Sequence, residues 1–251
     1  MRQHITRMAV FIVGILSIGA PAVAQQRPDF LFGRPGNSIA IRGQWHQPRA
    51  ASDLYDFVTK ELTLEKDDFN APGLAVDFGF SLTPRVDFRT GIDFTSAFAR
   101  TEYRDFTEGG LAIEQDTRMQ QLDLVASIVF ALTPRGRAIG QYSYIPNRVV
   151  PYIGAGGGFM RYQIEQEGDF VETKTQSAYY LDIFSERYVS NGWTTSTHVF
   201  TGLDVRLTPN VFLTGELRQI WGNAALKGGF VDFDPIDLTG LRIAAGIKFV
   251  F

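Results

Sequence analysis

The chain has 251 residues, no cysteine, and 24 basic against 27 acidic side chains. The missing thiols exclude a disulfide framework and a thiolate nucleophile, and the slightly acidic balance leaves no basic stripe for nucleic acid. With 25 glycines and 21 phenylalanines, the composition points to β-structure with tight bends rather than to helices.

In chain order, Arg2 and Arg7 form a short basic start, residues 8–20 (MAVFIVGILSIGA) an apolar run, and Ala22-Val23-Ala24 a small-residue box before Gln25. This is the layout of a secretory signal peptide, residues 1–24, cleaved near Ala24. The run is too short to be favoured as a membrane span. Residues 25–36 are expected to be a short periplasmic segment, and 37–251 one domain.

From Asn37 onward the dominant signal is alternation with period two, the mark of strands with one apolar face. Ile39, Ile41, Gly43 and Trp45 alternate with Ala40, Arg42 and Gln44. The pattern recurs over residues 74–82, 86–98, 121–132, 198–207, 211–221 and 240–251. In "VVPYIGAGGGFMRYQ", residues 149–163, the apolar face is ambiguous, but length and position require a strand. Eight strands result. Tight or proline-marked turns occur at "LTPR" (82–85 and 132–135, the second opening a longer link, 133–148) and at "LTPN" (207–210). Long polar loops are expected at 46–70, 104–117, 164–194 and 225–237. Short turns at one end and long loops at the other, with strands of about ten residues, describe an all-β, eight-stranded antiparallel transmembrane β-barrel, an up-and-down meander. Trp45, Trp193 and Trp221 fall at the long-loop rim, where an aromatic girdle belongs, and Tyr142, Tyr144, Tyr152, Phe249 and Phe251 at the opposite end.

"VPYIGAGGGF" resembles a strand signature of small outer-membrane barrels of the OmpA, OmpX, OmpW and opacity-protein type, and "GIKFVF" resembles their C-terminal assembly signal, here Gly246, Phe249 and Phe251. The resemblance implies a bacterial outer-membrane location, with outer-membrane lipid, lipopolysaccharide and the assembly machinery as partners, and a chain that stops at the barrel without an appended domain. It is specific for fold and weak for function.

If the apolar faces meet lipid, the lumen receives Arg42, Arg89, Arg206, Arg218, Arg242 and Lys248, facing Asp77, Asp87, Asp93, Asp123, Asp204 and Glu216. This set is expected to be a structural network of paired charges. His46 and His198, with Ser196 two residues before His198, could supply half of a Ser–His pair, but a polar lumen lining is favoured. The acidic stretches EKDDF (65–69) and DFDPID (232–237) lack the spacing of a defined metal loop. No catalytic set, cofactor or metal is expected. Tyr179, Tyr180, Phe184, Tyr188 and Trp193 mark the third loop as either a binding surface or packing above the membrane. The leading expectation is a non-enzymatic surface protein acting in adhesion or ligand binding through its loops. The alternatives are a narrow conduit for small or apolar solutes and a lipid A-modifying acyl hydrolase or transferase.

Overall fold

The computed structural model describes residues 30–172 and 182–251. Eight long strands form one closed barrel: β1 (Asn37–Pro48), β2 (Ala71–Ser81), β3 (Val86–Glu108), β4 (Leu111–Ala131), β5 (Val149–Glu172), β6 (Asp182–Thr208), β7 (Val211–Trp221) and β8 (Gly240–Val250). Each pairs antiparallel with the next, and β8 closes the ring on β1, from Gly240 opposite Pro48 to Val250 opposite Ser38. The seam extends past Val250. The Phe251 carbonyl accepts from the Gly36 and Asn37 amides at 3.1 and 2.9 Å, and the Phe251 amide donates to Asn37 O at 3.0 Å. Gly246 lies opposite Arg42 in this seam, where a Cβ would run into the Ile41 and Arg42 backbone.

The alternation sorts the side chains as a membrane requires. Ile92 and Leu124 point outward and are 52% and 40% exposed, while their neighbours Asp93 and Asp123 point inward and are 0% exposed. An apolar outside around a charged inside reverses the soluble-protein pattern and is that of a membrane-spanning barrel. Trp45, Trp193 and Trp221 point outward near the loop-side rim. Tyr144 and Tyr152 depart from the expected lower girdle. Both are buried and turned inward, Tyr152 because β5 places it on the lumen face and Tyr144 because its hairpin folds across the lower mouth.

Two of the expected long loops are largely strand over their described residues. Residues 104–117 belong to a hairpin in which β3 and β4 continue past the apolar band to a two-residue Gly109-Gly110 turn. Both glycines have positive φ, 58° and 83°, the requirement of a type I′ hairpin turn. In 164–194, β5 runs to Glu172 and β6 starts at Asp182. Four strands, β3 to β6, therefore stand taller than the other four. Above the band the outward residues become polar, and the inward ones mix apolar side chains such as Ile113, Met119 and Ile164 with uncharged polar ones such as Thr101, Gln115 and Thr117, so the sequence loses its lipid-facing signal although the strands go on.

The remaining loop-side connections fold over the barrel mouth. Residues 49–70 carry a helix, α1 (Asp53–Glu61), with Asp53 and Asp56 in its first turn and Lys60 in its last, each favourable to the helix dipole. Its buried face is Leu54, Tyr55 and Val58. These pack with Leu62, Leu64 and Phe69, with Phe230, Ile236 and Leu238 of the last loop, and with Met119, Met160, Tyr162, Ile164 and Ile220 of the strands. Tyr55 meets Phe69 edge-on at 4.8 Å, and burial, helped by Asp237, pushes its phenol pKa up. The Thr63 amide donates to Glu102 O at 2.8 Å, and Tyr162 Oη to Ala225 O at 2.6 Å, fixing both loops to the wall. At the lower end residues 136–139 and 143–146 form a hairpin, to which Leu31–Phe32 adds a third short strand.

Candidate functional site

The lumen is the place where the sequence concentrates ionisable side chains, and the structure joins them into a continuous network. Glu216 on β7 accepts from three guanidiniums: Arg42 at 3.0 Å, Arg89 at 2.7 Å and Arg218 at 2.8 Å. Arg42 also pairs with Asp77, and Arg218 with Asp93 at 2.5 Å. Arg242 reaches Asp93 at 3.4 Å and Asp123 at 2.6 Å, and donates to Gln121 Oε1 at 2.9 Å. Tyr152 Oη donates to Glu216 at 3.2 Å, and the Arg89 guanidinium lies 4.2 Å from the Phe200 ring centroid.

The topology of these contacts matters more than their number. Arg89 and Asp93 stand on β3, Glu216 and Arg218 on β7; Asp123 stands on β4 and Arg242 on β8. In a ring of eight, strands four apart face each other across the axis, so both sets of pairs bridge the lumen from wall to wall. An eight-stranded barrel is just wide enough for side chains to fill, and here they do so with opposite charges in contact. Four cations (Arg42, Arg89, Arg218, Arg242) meet four anions (Asp77, Asp93, Asp123, Glu216). Removing one member would leave a buried charge uncompensated.

Nearer the lower mouth Lys248 pairs with Asp204 at 2.8 Å, and Asp87 pairs with Arg135. Arg135 comes from the second proline turn, and its contribution is invisible to strand periodicity. Arg206, placed in the lumen by alternation, forms no ion pair among the described residues, and its Nη1 is buried without a hydrogen-bond partner. A cavity of about 50 Å³ lies here, lined by Arg34, Asp87, Arg135, Tyr144, Asp204 and Lys248 among others.

Both histidines line the lumen, and the alternative pairing of Ser196 with His198 is not formed. His198 Nε2 lies 2.8 Å from Ser127 Oγ, not Ser196, and Ser196 Oγ has no partner among the described residues. His46 is 2% exposed and opposite Arg242 in the β8–β1 register. All of these groups are inside the barrel, away from the lipid-facing wall. Among the described residues no three His, Asp or Glu side chains converge on a metal-sized point. Of the two acidic stretches, Phe69 is in the apolar cluster and Asp237 is held by Arg49 at 2.8 Å.

Of the third-loop aromatics, Tyr188 packs inward on Phe170 at 4.8 Å and Phe230 at 6.3 Å. Phe184 is 38% exposed and stacks on Phe170, and Trp193 faces outward. Tyr179 and Tyr180 lie outside the described residues, as does the expected signal peptide.

No protein-family model and no curated protein matches the sequence. Among solved structures the chain is similar to Ail, the attachment invasion locus protein of Yersinia pestis, at 15% identity over 86% of this chain and 100% of that one, with a TM-score of 0.42. It is similar to Neisserial surface protein A at 15% identity, 86% and 96% coverage and a TM-score of 0.42. For the outer membrane protein OprG from Pseudomonas aeruginosa the values are 11%, 88%, 99% and 0.47. The structures it resembles are small outer-membrane β-barrels, while the closed eight-stranded ring rests on this chain's own strand pairing.

Proposed function

We propose that the protein is a bacterial outer-membrane barrel with a sealed lumen, anchored by its band of apolar side chains and working through the surface it raises above that band. The observation that carries this reading is the occlusion of the axis twice over. Ion pairs cross the lumen between β3 and β7 and between β4 and β8, and an apolar cluster built from two loops covers them on the loop side. The leader-like residues 1–24 supply the secretion route. The tall β3–β6 wall, with its outward polar face, supplies the contact surface for adhesion or ligand binding.

Two measurements test the reading. Planar-bilayer recordings of the purified protein are expected to show no large, stable channels; their appearance would replace the sealed barrel with a conduit. The upper β3–β4 hairpin can be shortened by joining Glu102 to Glu114, which face each other in register, through a two-residue turn. Cells displaying this variant are expected to lose attachment to surfaces and matrix ligands while keeping the barrel. Unchanged attachment would remove the surface role.

A further inference from the structure

We infer that the outward face of β4 and β5, where the apolar band ends, binds the phosphorylated glycolipid of the outer leaflet, an inference that rests on the outer-membrane reading. On β5 the outward residues Ile153, Ala155 and Phe159 are followed directly by Arg161; on β4 Leu124 and Leu122 are followed by Gln120 and then Arg118. Both arginines are exposed. The opposite side of the barrel differs. At the same boundary Gln219, Trp221, Leu241, Trp45, Gln47 and Pro72 carry no charge, and Arg49 at the top of β1 is held by Asp237. The cations are thus gathered on one side of the rim.

The two guanidiniums are also uncommitted. On the same wall Arg100 is paired with Asp116 and Arg187 with Glu165, each at 2.9 Å. Glu165 stands opposite Arg118 in register, but its carboxylate is turned to Arg187 and to Gln163 Nε2 at 3.3 Å. Neither Arg118 nor Arg161 forms an ion pair among the described residues. Arg118 lies over the Phe98 ring, 5.5 Å from its centroid, which holds the guanidinium while leaving its donor edge free. Arg161 stands opposite Trp193 on one side and Leu122 on the other.

The spacing selects the ligand class. Arg118 and Arg161 are offset by four residues on adjacent strands, which places their backbones about 14 Å apart from a rise of roughly 3.3 Å per residue and a strand spacing of roughly 4.8 Å. That span suits two phosphates carried at opposite ends of a disaccharide, not one phosphate. Between the arginines Gln120 faces Gln163 directly, and Gln120 Nε2 donates to Ser96 Oγ at 3.4 Å, a polar strip for sugar hydroxyls. Below lie Phe159, Leu122 and Leu124 for acyl chains. Arginine pairs with phosphate through two parallel hydrogen bonds, and the paired strands fix both arginines without loop ordering.

The test uses the full mature barrel in detergent with a bis-phosphorylated disaccharide glycolipid as probe, read by native mass spectrometry. R118Q and R161Q are each expected to weaken binding about tenfold, and the double variant about a hundredfold, the loss of one charge-assisted contact apiece. R100Q, which removes an already paired outward arginine, is expected to bind as the parent does. The dephosphorylated glycolipid is expected to bind all variants alike, and inorganic phosphate at equal concentration not to displace the probe. Parent-like affinity in the double variant, an equal loss in R100Q, or displacement by inorganic phosphate would overturn the site. Heat-modifiable gel migration confirms that each variant is an assembled barrel. Fractionation of cells tests the location separately, so a protein absent from the outer membrane would sink that reading rather than the phosphate contacts.

Discussion

Glu216 is the hinge of the lumen. Three guanidiniums converge on its carboxylate, and Tyr152 adds a hydroxyl. Replacing it by glutamine keeps the shape and removes the only charge that all three arginines share. Breaking one partner out of a buried ionic set costs about 3–5 kcal/mol, because the remaining charges stay desolvated. Glu216→Gln is therefore expected to lower the unfolding midpoint clearly in detergent, followed by the heat-modifiable band shift. Lys248→Gln, at a pair nearer the lower mouth, removes a cation that meets one carboxylate only, and is expected to lower the midpoint less than Glu216→Gln, which strands three guanidiniums. Equal losses would mean that the central network behaves as a set of separate surface-like pairs. At this scale the sequence was legible where alternation governs: the lumen residues of the strands could be picked by parity. Arg135 could not, because a turn residue carries no parity. Arg206 has the right parity, yet finds no anion, since Asp204 on the same face is taken by Lys248.

The strands hold a change of phase that explains both the ambiguous stretch and the misread loops. On β5 the apolar residues Ile153, Ala155 and Phe159 point out to lipid, whereas Met160, Tyr162 and Ile164 point in to the cluster under the loops. Within one continuous strand the apolar set moves from odd to even positions at Phe159 and Met160. A period-two reading sees that as a lost face, and on β3 and β4 as the end of the strand. Physically it marks the level where the environment outside changes from hydrocarbon to water and the interior must change from charge to apolar packing. The absence of native cysteine makes this testable with single thiols. Phe159→Cys is expected to react with a lipid-soluble maleimide and not with a membrane-impermeant one, Met160→Cys with neither, and Gln163→Cys with the impermeant reagent. Impermeant labelling at 159 equal to that at 163 would move the boundary and undo the assignment of the band. The loop-capping cluster itself left little trace in the sequence. α1 has nine residues, below the length at which an isolated helix is stable, and it forms because Leu54, Tyr55 and Val58 find the barrel mouth.

Across the whole molecule two layers lie in series on the axis, and each strengthens the other. The apolar cap keeps water from the ionic layer, which strengthens the attraction between its charges; the ionic layer in turn holds opposite walls together and sets the width that the cap must cover. Each layer is expected to block the axis alone, one by apolar packing and the other by side chains that span the lumen. Replacing residues 50–69 by a short Gly/Ser link removes the helix side of the cap and should leave the protein non-conducting. The charge-balanced pair Arg218→Ser with Asp93→Ser clears one cross-lumen bridge without leaving a net charge, and should also remain closed under an intact cap. Combined, the two changes are expected to give a small, measurable conductance in planar bilayers, provided gel migration confirms assembled barrels. If the cap deletion alone conducts, the cross-lumen pairs are not a barrier and the cap is the gate. If the combined variant stays closed, the remaining Arg42, Arg89 and Arg242 contacts fill the axis by themselves, and the lumen is a solid core on which the cap is only a lid.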